Sequence, residues 1–174
     1  AAEQQMNNIL VTRPRERVML ITLNRPKALN ALSKALLVEV AAALDAAAKD
    51  DETRCVVITG DRRAFSAGAD IKEELDEEGG IQRMQLFADL YDAIVQFPKP
   101  TLTACHGYTV GGGAEIAICS DIRIGGSNLQ MRFPGAALGV PVLKLPSTSP
   151  ANASWSFERK LAAWREAFDA HGIA

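Results

Sequence analysis

Glu115 follows three consecutive glycines in the run Tyr108-Thr109-Val110-Gly111-Gly112-Gly113-Ala114-Glu115, and its setting is the one most suited to chemistry. Glycines lack side chains, so another molecule can come close to their backbone. The continuation Ala114-Glu115-Ile116-Ala117-Ile118-Cys119 reads as the start of an apolar helix. Free N–H groups in its first turn would point into a site, and a helix N-terminus favours developing negative charge. A carboxylate one turn in can then act as acid or base beside an oxyanion hole. The plainer reading is a tight strand-to-helix turn with an exposed glutamate. A third reading, a phosphate-binding turn, is weaker: the run lacks the lysine of a P-loop and is not spaced as G-x-G-x-x-G.

The remaining reactive residues are few. Cys55, Cys105 and Cys119 each sit among apolar neighbours, as buried free thiols in a reducing, cytoplasmic setting would. No CxxC or Cys/His spacing points to a metal, and no cofactor is expected. His106 lies beside the glycine run and His171 near the C-terminus. A structural role is expected for His106, with a site role left open.

The elements that must position these groups follow from composition and periodicity. The 174 residues suffice for one domain with a real core, and 48% are hydrophobic, ordinary for a globular chain. A net charge of −2 without a basic run argues against nucleic acid. No apolar stretch approaches a membrane span. The first residues, Ala1–Met6, lack the basic and apolar regions of a signal peptide.

Ile9–Thr12 and Val18–Leu23 are β-rich runs that predict a hairpin. After a loop from Asn24 to Leu32, the spacing of Leu32, Leu36, Leu37, Val40 and Leu44 predicts a helix from Ser33 to about Lys49. Cys55–Thr59 reads as a buried parallel strand. Arg62–Asp70 reads as a loop, and acidic Asp76–Gly80 as an irregular, mobile stretch. Met84, Phe87, Leu90, Tyr91 and Ile94 mark a second amphipathic helix, stopped by Pro98 and Pro100. Thr101–Cys105 is a strand leading to the glycine run. Alternating strands and helices predict an α/β fold with parallel pairing. No internal sequence repeat is visible. Beyond residue 144 the periodicity fails over 145–153, and Phe157, Leu161, Trp164 and Phe168 then form the stripe of a terminal amphipathic helix within 154–174.

Four stretches together resemble the crotonase superfamily, the enoyl-CoA hydratase/isomerase family. They are Leu23–Leu32, Ala64–Glu73, the segment from Pro98 through His106-Gly107-Tyr108 to Glu115, and Cys119–Ile124. The match covers residues 9–140 of this sequence, which form the first part, 1–144, of the expected organisation. The resemblance implies a spiral core of repeated ββα units that binds an acyl-coenzyme A thioester. It implies that backbone N–H groups of Ala69 and Gly112 hold the thioester oxygen. Small residues serve there, because the donors are backbone groups and each such donor is typically worth ~3–4 kcal/mol. It implies further that Glu115 is the acid or base, that Lys27 and Ala28 line the pantetheine, and that Ala67, Asp70, Ile71 and Lys72 lie toward the adenine end. Gly68 and Gly111 complete the two loops.

Two departures shape the expectations. The family's hydratases carry a second glutamate after a proline, and Gly135 holds that position in Met131–Gly139. Hydratase efficiency is therefore in question. The C-terminal helical part, which in the family supports a trimer-based homo-oligomer, is expected to be shortened or missing. Hydration or double-bond isomerisation is the leading activity. Thioester hydrolysis, decarboxylation and a non-catalytic acyl-CoA-binding or interaction module are the alternatives.

Overall fold

The computed structural model describes residues 7–134 and 156–170. The chain falls into two compact units, Ala1–Pro134 and Gly135–Ala174. In the first, β1 (Ile9–Arg15) and β2 (Val18–Leu23) form the antiparallel hairpin expected, with a bulge between Thr12 and Arg15. The Asn24–Leu32 loop contains one 3₁₀ turn, Pro26–Ala28, whose proline presets the backbone at its start.

Helix α1 (Lys34–Lys49) begins where Ser33 accepts a hydrogen bond from the Leu36 amide, a side-chain N-cap. Its far end is held by Lys99, whose Nζ donates to the Ala47 and Asp50 carbonyls, each at 2.7 Å. A cation on those unpaired carbonyls also complements the helix dipole. The apolar face predicted for α1 is buried: Leu36, Leu37, Val40, Ala43, Leu44 and Ala47 pack with Ile9, Ile21, Leu23, Val56 and Ile58 of the sheet. Each large aliphatic side chain so covered is worth about 1.5–3 kcal/mol.

The chain then repeats one pattern. A strand joins the main sheet, a shorter strand leaves it, and a helix follows. The first such unit is β3 (Cys55–Thr59), β4 (Ala64–Ser66) and α2 (Glu77–Val95). The second is β5 (Thr101–Cys105), β6 (Tyr108–Val110) and α3 (Gly112–Cys119). A third pair, β7 (Ile122–Gly125) and β8 (Gln130–Arg132), completes the series. The long strands form a sheet ordered β1-β2-β3-β5-β7, parallel from β2 onward. The short strands form a parallel sheet ordered β4-β6-β8. This is the α/β core of ββα units that the resemblance implies, although no repeat shows in the sequence.

Two local expectations are corrected. The predicted loop Arg62–Asp70 contains β4, whose residues are wholly buried. Three residues are too few to show strand alternation, and Phe65, fully buried, anchors the strand in the core. The acidic stretch at Asp76–Gly80 is helical from Glu77. Asp76 accepts a 2.8 Å hydrogen bond from the Gly79 amide, and Glu77 and Glu78 sit in the first turn, where the helix dipole favours acids. These favourable end effects offset the poor helix propensity of two glycines.

In the second unit, α4 spans Phe157–Ala170, inside the predicted terminal helix. Ser156 accepts from the Arg159 amide at its start. Leu161 of the predicted stripe is exposed; the side chains of Phe157, Trp164 and Phe168 lie outside the described residues, as do the expected boundary at 144 and the segment 145–153. No described helix is long and apolar enough to cross a membrane.

Candidate active site

Two loops build the floor of the site by pairing their backbones. The Ala67 amide donates to the Leu29 carbonyl at 3.0 Å, Leu32 to Gly68 at 2.8 Å, and Asp70 to Leu32 at 3.1 Å. Asn30 locks the same junction. It is fully buried with a positive φ of 53°, a conformation that asparagine tolerates better than most residues. Its Oδ1 accepts from the Arg25 amide at 2.8 Å, and its Nδ2 donates to the Ala64 carbonyl at 2.9 Å. Ser66 Oγ donates to the Asn30 carbonyl at 2.8 Å and accepts from the Gly68 amide at 3.1 Å.

The result is a groove of about 400 Å³ lined by Lys27, Ala28, Leu29, Ala31, Ala67, Ala69, Asp70, Ile71 and Lys72. Of the binding residues that the resemblance implies in these two loops, Lys27, Ala28, Ala67, Asp70, Ile71 and Lys72 lie on this one surface and Gly68 does not line it. Asp70 plays a different part from its neighbours. Its carboxylate accepts from Arg25 Nη1 at 2.9 Å and from the Lys72 amide at 3.0 Å. Burial would raise its pKa, but the Arg25 hydrogen bond, the Lys72 amide and the charges of Arg25 and Arg83 outweigh it and hold the carboxyl below its usual range. Asp70 thus braces the loop. Ile71, 91% exposed, and the exposed Lys27 and Lys72 are free to meet a ligand.

A second pocket, of about 320 Å³, is lined by Ala69, Met84, Phe87, Ala88, Tyr91, Gly112 and Glu115. It shares one lining residue, Ala69, with the groove. The glycine run forms its wall by three separate means. Gly111 has φ 52°, which strains any residue with a side chain. A Cβ on Gly112 would fall 2.7 Å from Phe87, and one on Gly113 2.7 Å from Ser66. The Gly111 amide donates to the Arg132 carbonyl at 3.0 Å, which fixes the turn.

The amides of Ala69 and Gly112 find no acceptor among the described residues. Gly112 is the first residue of α3, where helix geometry leaves the N–H unpaired. The loops bearing them touch: a Cβ built on Gly68 (φ +93°) would lie 2.9 Å from the Val110 carbonyl oxygen and 3.7 Å from the Gly112 nitrogen. The site therefore offers two unpaired donors and one carboxylate on a mainly apolar lining.

That carboxylate has a partner not anticipated from sequence. Tyr91 donates its hydroxyl hydrogen to Glu115 Oε2. The Tyr91 phenol is held well above its ordinary range, first by burial and then by the adjacent Glu115. In the sequence Tyr91 is one of five members of an apolar stripe. That stripe in fact divides, Leu90 and Ile94 entering the core while Met84, Phe87 and Tyr91 line the pocket. A polar tip on an apolar stripe was the available signal.

Other candidates are structural. His106 lines neither cavity; its ring lies against Gly126, and its carbonyl accepts from the Phe65 amide at 2.7 Å. The thiols of Cys55, Cys105 and Cys119 are raised in pKa by burial, which disfavours a thiolate nucleophile. Asp121, in the fourth resembling stretch, accepts from the Thr101 amide at 2.8 Å and secures β5. Gly135 lies outside the described residues, but Pro134 just before it borders Gly111.

The family model described as enoyl-CoA hydratase/isomerase matches residues 13–162. The chain is 38% identical over 135 residues to the 2,3-dehydroadipyl-CoA hydratase of Escherichia coli, covering 78% of this chain and 52% of that protein. It is 39% identical over 127 residues to a probable enoyl-CoA hydratase of Bacillus subtilis, covering 71% and 48%. Among solved structures, the enoyl-CoA hydratase of Bacillus anthracis aligns with a TM-score of 0.74 at 32% identity, covering 77% of this chain and 53% of that one. The chain belongs to the enoyl-CoA hydratase/isomerase family, within the crotonase superfamily. It spans about half the length of the curated relatives it matches.

Proposed function

We propose that the protein binds an acyl-coenzyme A thioester and stabilises its enolate between the Ala69 and Gly112 amides, with Glu115 moving the proton. The observation that carries this reading is the pocket lined by Ala69, Gly112 and Glu115, whose two amides have no acceptor among the described residues and whose Ala69 also borders the groove. The thioester would lie along the groove past Ala67, Ala28 and Lys27, with its carbonyl oxygen at Ala69. Lys27 and Lys72 are cations suited to coenzyme A phosphates.

When a proton leaves the carbon next to the carbonyl, or water adds to the double bond conjugated with it, negative charge moves to the thioester oxygen. Donors preorganised at that oxygen stabilise the charged state more than the ground state. In isomerisation one carboxylate can take the proton from one carbon and return it to another. In hydration it assists addition of water and protonation of the enolate. The family and its relatives, named as hydratases, favour these two reactions. Thioester hydrolysis and decarboxylation share the same enolate-type donors but need other groups.

The test is turnover of crotonyl-CoA and of a β,γ-unsaturated acyl-CoA by the purified protein, with calorimetry against acetyl-CoA, NAD and ATP. Turnover together with preferential binding of the thioester supports the reading. Thioester binding without turnover would favour the non-catalytic module, and tighter binding of NAD or ATP would overturn both. The proposal extends to a homo-oligomer, trimer-based as the family resemblance implies; a monomer by light scattering at micromolar concentration would contradict that part.

A further inference from the structure

Glu115 has two carboxylate oxygens, and only one can be spent on holding the side chain in place. Oε2 accepts the Tyr91 hydroxyl, while Oε1 has no partner among the described residues. Tyr91 is itself fixed. It is half-buried on α2, and its ring lies 5.9 Å from that of Phe87, tilted at 42°. Phe87 in turn abuts Gly112, where a Cβ would come within 2.7 Å of its ring. A rigid aromatic pair on one helix thus clamps the carboxylate of another, at the pocket wall that also carries the Gly112 amide.

Resting on the function proposed above, we infer that Tyr91 is the positioning residue for Glu115: its hydroxyl holds Oε2 and leaves Oε1 as the oxygen that exchanges protons with substrate. Without that bond, Glu115 keeps its charge but loses one fixed orientation. Pre-organised geometry of this kind governs how often the carboxylate meets the reacting carbon correctly. The hydroxyl stays protonated throughout, because the phenol is buried beside a carboxylate, so the proton that moves is not its own.

The contact can be read without any turnover. The protein has two tyrosines, Tyr91 and Tyr108, so ¹³C-tyrosine labelling gives two ring Cζ resonances, assigned with Tyr108→Phe. The ionisable groups facing Tyr91 are Glu115 and Cys119, both on α3, with Asp92 adjacent on its own helix. The Tyr91 resonance is expected to differ between the wild type and Glu115→Gln, where an amide replaces the carboxylate that accepts its hydroxyl, while the Tyr108 resonance stays in place. An unchanged Tyr91 resonance in Glu115→Gln overturns the contact.

Turnover of crotonyl-CoA or its β,γ-isomer tests the consequence. Tyr91→Phe keeps the ring and is expected to lower kcat about tenfold with KM nearly unchanged, the scale of losing one hydrogen bond to a charged group. In a Glu115→Gln background the same substitution is expected to have no further effect. An equal loss in both backgrounds, or a change in KM alone, would mean that Tyr91 acts on substrate binding or packing, and the inference fails. If the wild type turns over neither thioester, the proposed function and this positioning role fail together, while the comparison of Tyr91 resonances still decides whether the contact exists.

Discussion

The groove and the pocket both border Ala69, yet they are built on opposite principles. The groove is two loops tied through backbone hydrogen bonds and the Asn30–Ser66 junction, so its inner side chains can be small: Ala28, Ala31, Ala67 and Ala69. The pocket is set by side chains reaching from two helices, Phe87 and Tyr91 from α2 and Glu115 from α3. Substitutions in the groove should therefore act on folding and affinity, and substitutions in the pocket on rate. Under the proposed function, the groove would recognise the constant part of a ligand and the pocket would act on its variable part.

The sharpest way to break this contrast is Glu115→Gln, which keeps shape and removes proton transfer. Turnover of crotonyl-CoA should fall by about 10²–10⁴-fold, while calorimetric affinity for acetyl-CoA changes little. A loss of affinity as large as the loss of rate would erase the distinction between the two regions. A backbone test at Gly112 needs care. Proline is tolerated at the first position of a helix, but any Cβ there meets Phe87, so Gly112→Pro would change the pocket wall as well as remove the amide.

The next largest effect should lie in the groove. Asn30→Ala leaves the Arg25 amide without its acceptor, removes one of the two donors to the Ala64 carbonyl and places alanine at positive φ. A loss of about 2–3 kcal/mol in denaturant unfolding is expected, on the scale of orphaned buried polar groups. Unchanged stability would show that the backbone pairs alone hold the loops together.

A smaller effect should appear with pH. The carboxyl of Asp70 is depressed in the folded protein, so the stability it contributes is complete above the ordinary aspartate pKa. That contribution is lost as pH falls through the lower folded value. Asp70→Asn should flatten this part of the acid-stability curve, and acid unfolding of the two proteins by circular dichroism checks it. The smallest effect belongs to Lys72→Ala. An exposed cation should contribute a few-fold to coenzyme A affinity, by an amount that shrinks with added salt. A rate change without an affinity change would move Lys72 to the other side of the comparison.

The sequence made the first half of the fold readable because its signals were long. The α1 stripe ran from Leu32 to Leu44 with Ser33 as the cap of a sixteen-residue helix, β2 and β3 were almost wholly apolar runs, and β5 led directly to the glycine run. The second sheet was not legible, since β4, β6 and β8 have three residues each and gain their identity from burial and pairing. The helical start at Glu77 was masked by two glycines whose cost is offset by Asp76 and the acids beside it. Groove residues could be named from the resemblance to a family, and the structure brings them to one surface. The Tyr91–Glu115 bond could not be, because α2 and α3 close successive strand–strand–helix repeats and only the folded chain sets them side by side.

One feature of the small sheet sets a length scale. Ala69 follows β4 by three residues and Gly112 follows β6 by two, and those strands are parallel neighbours, with Ala64 opposite Tyr108 and Ser66 opposite Thr109. Adjacent strands lie ~4.8 Å apart whatever their sequence. The two amides proposed to grip one oxygen thus stand on loops that leave neighbouring strands at that spacing, and the pairing carries a register shift between Ala64 and Ser66. A change in that register would move one donor loop against the other, whatever side chains line the pocket.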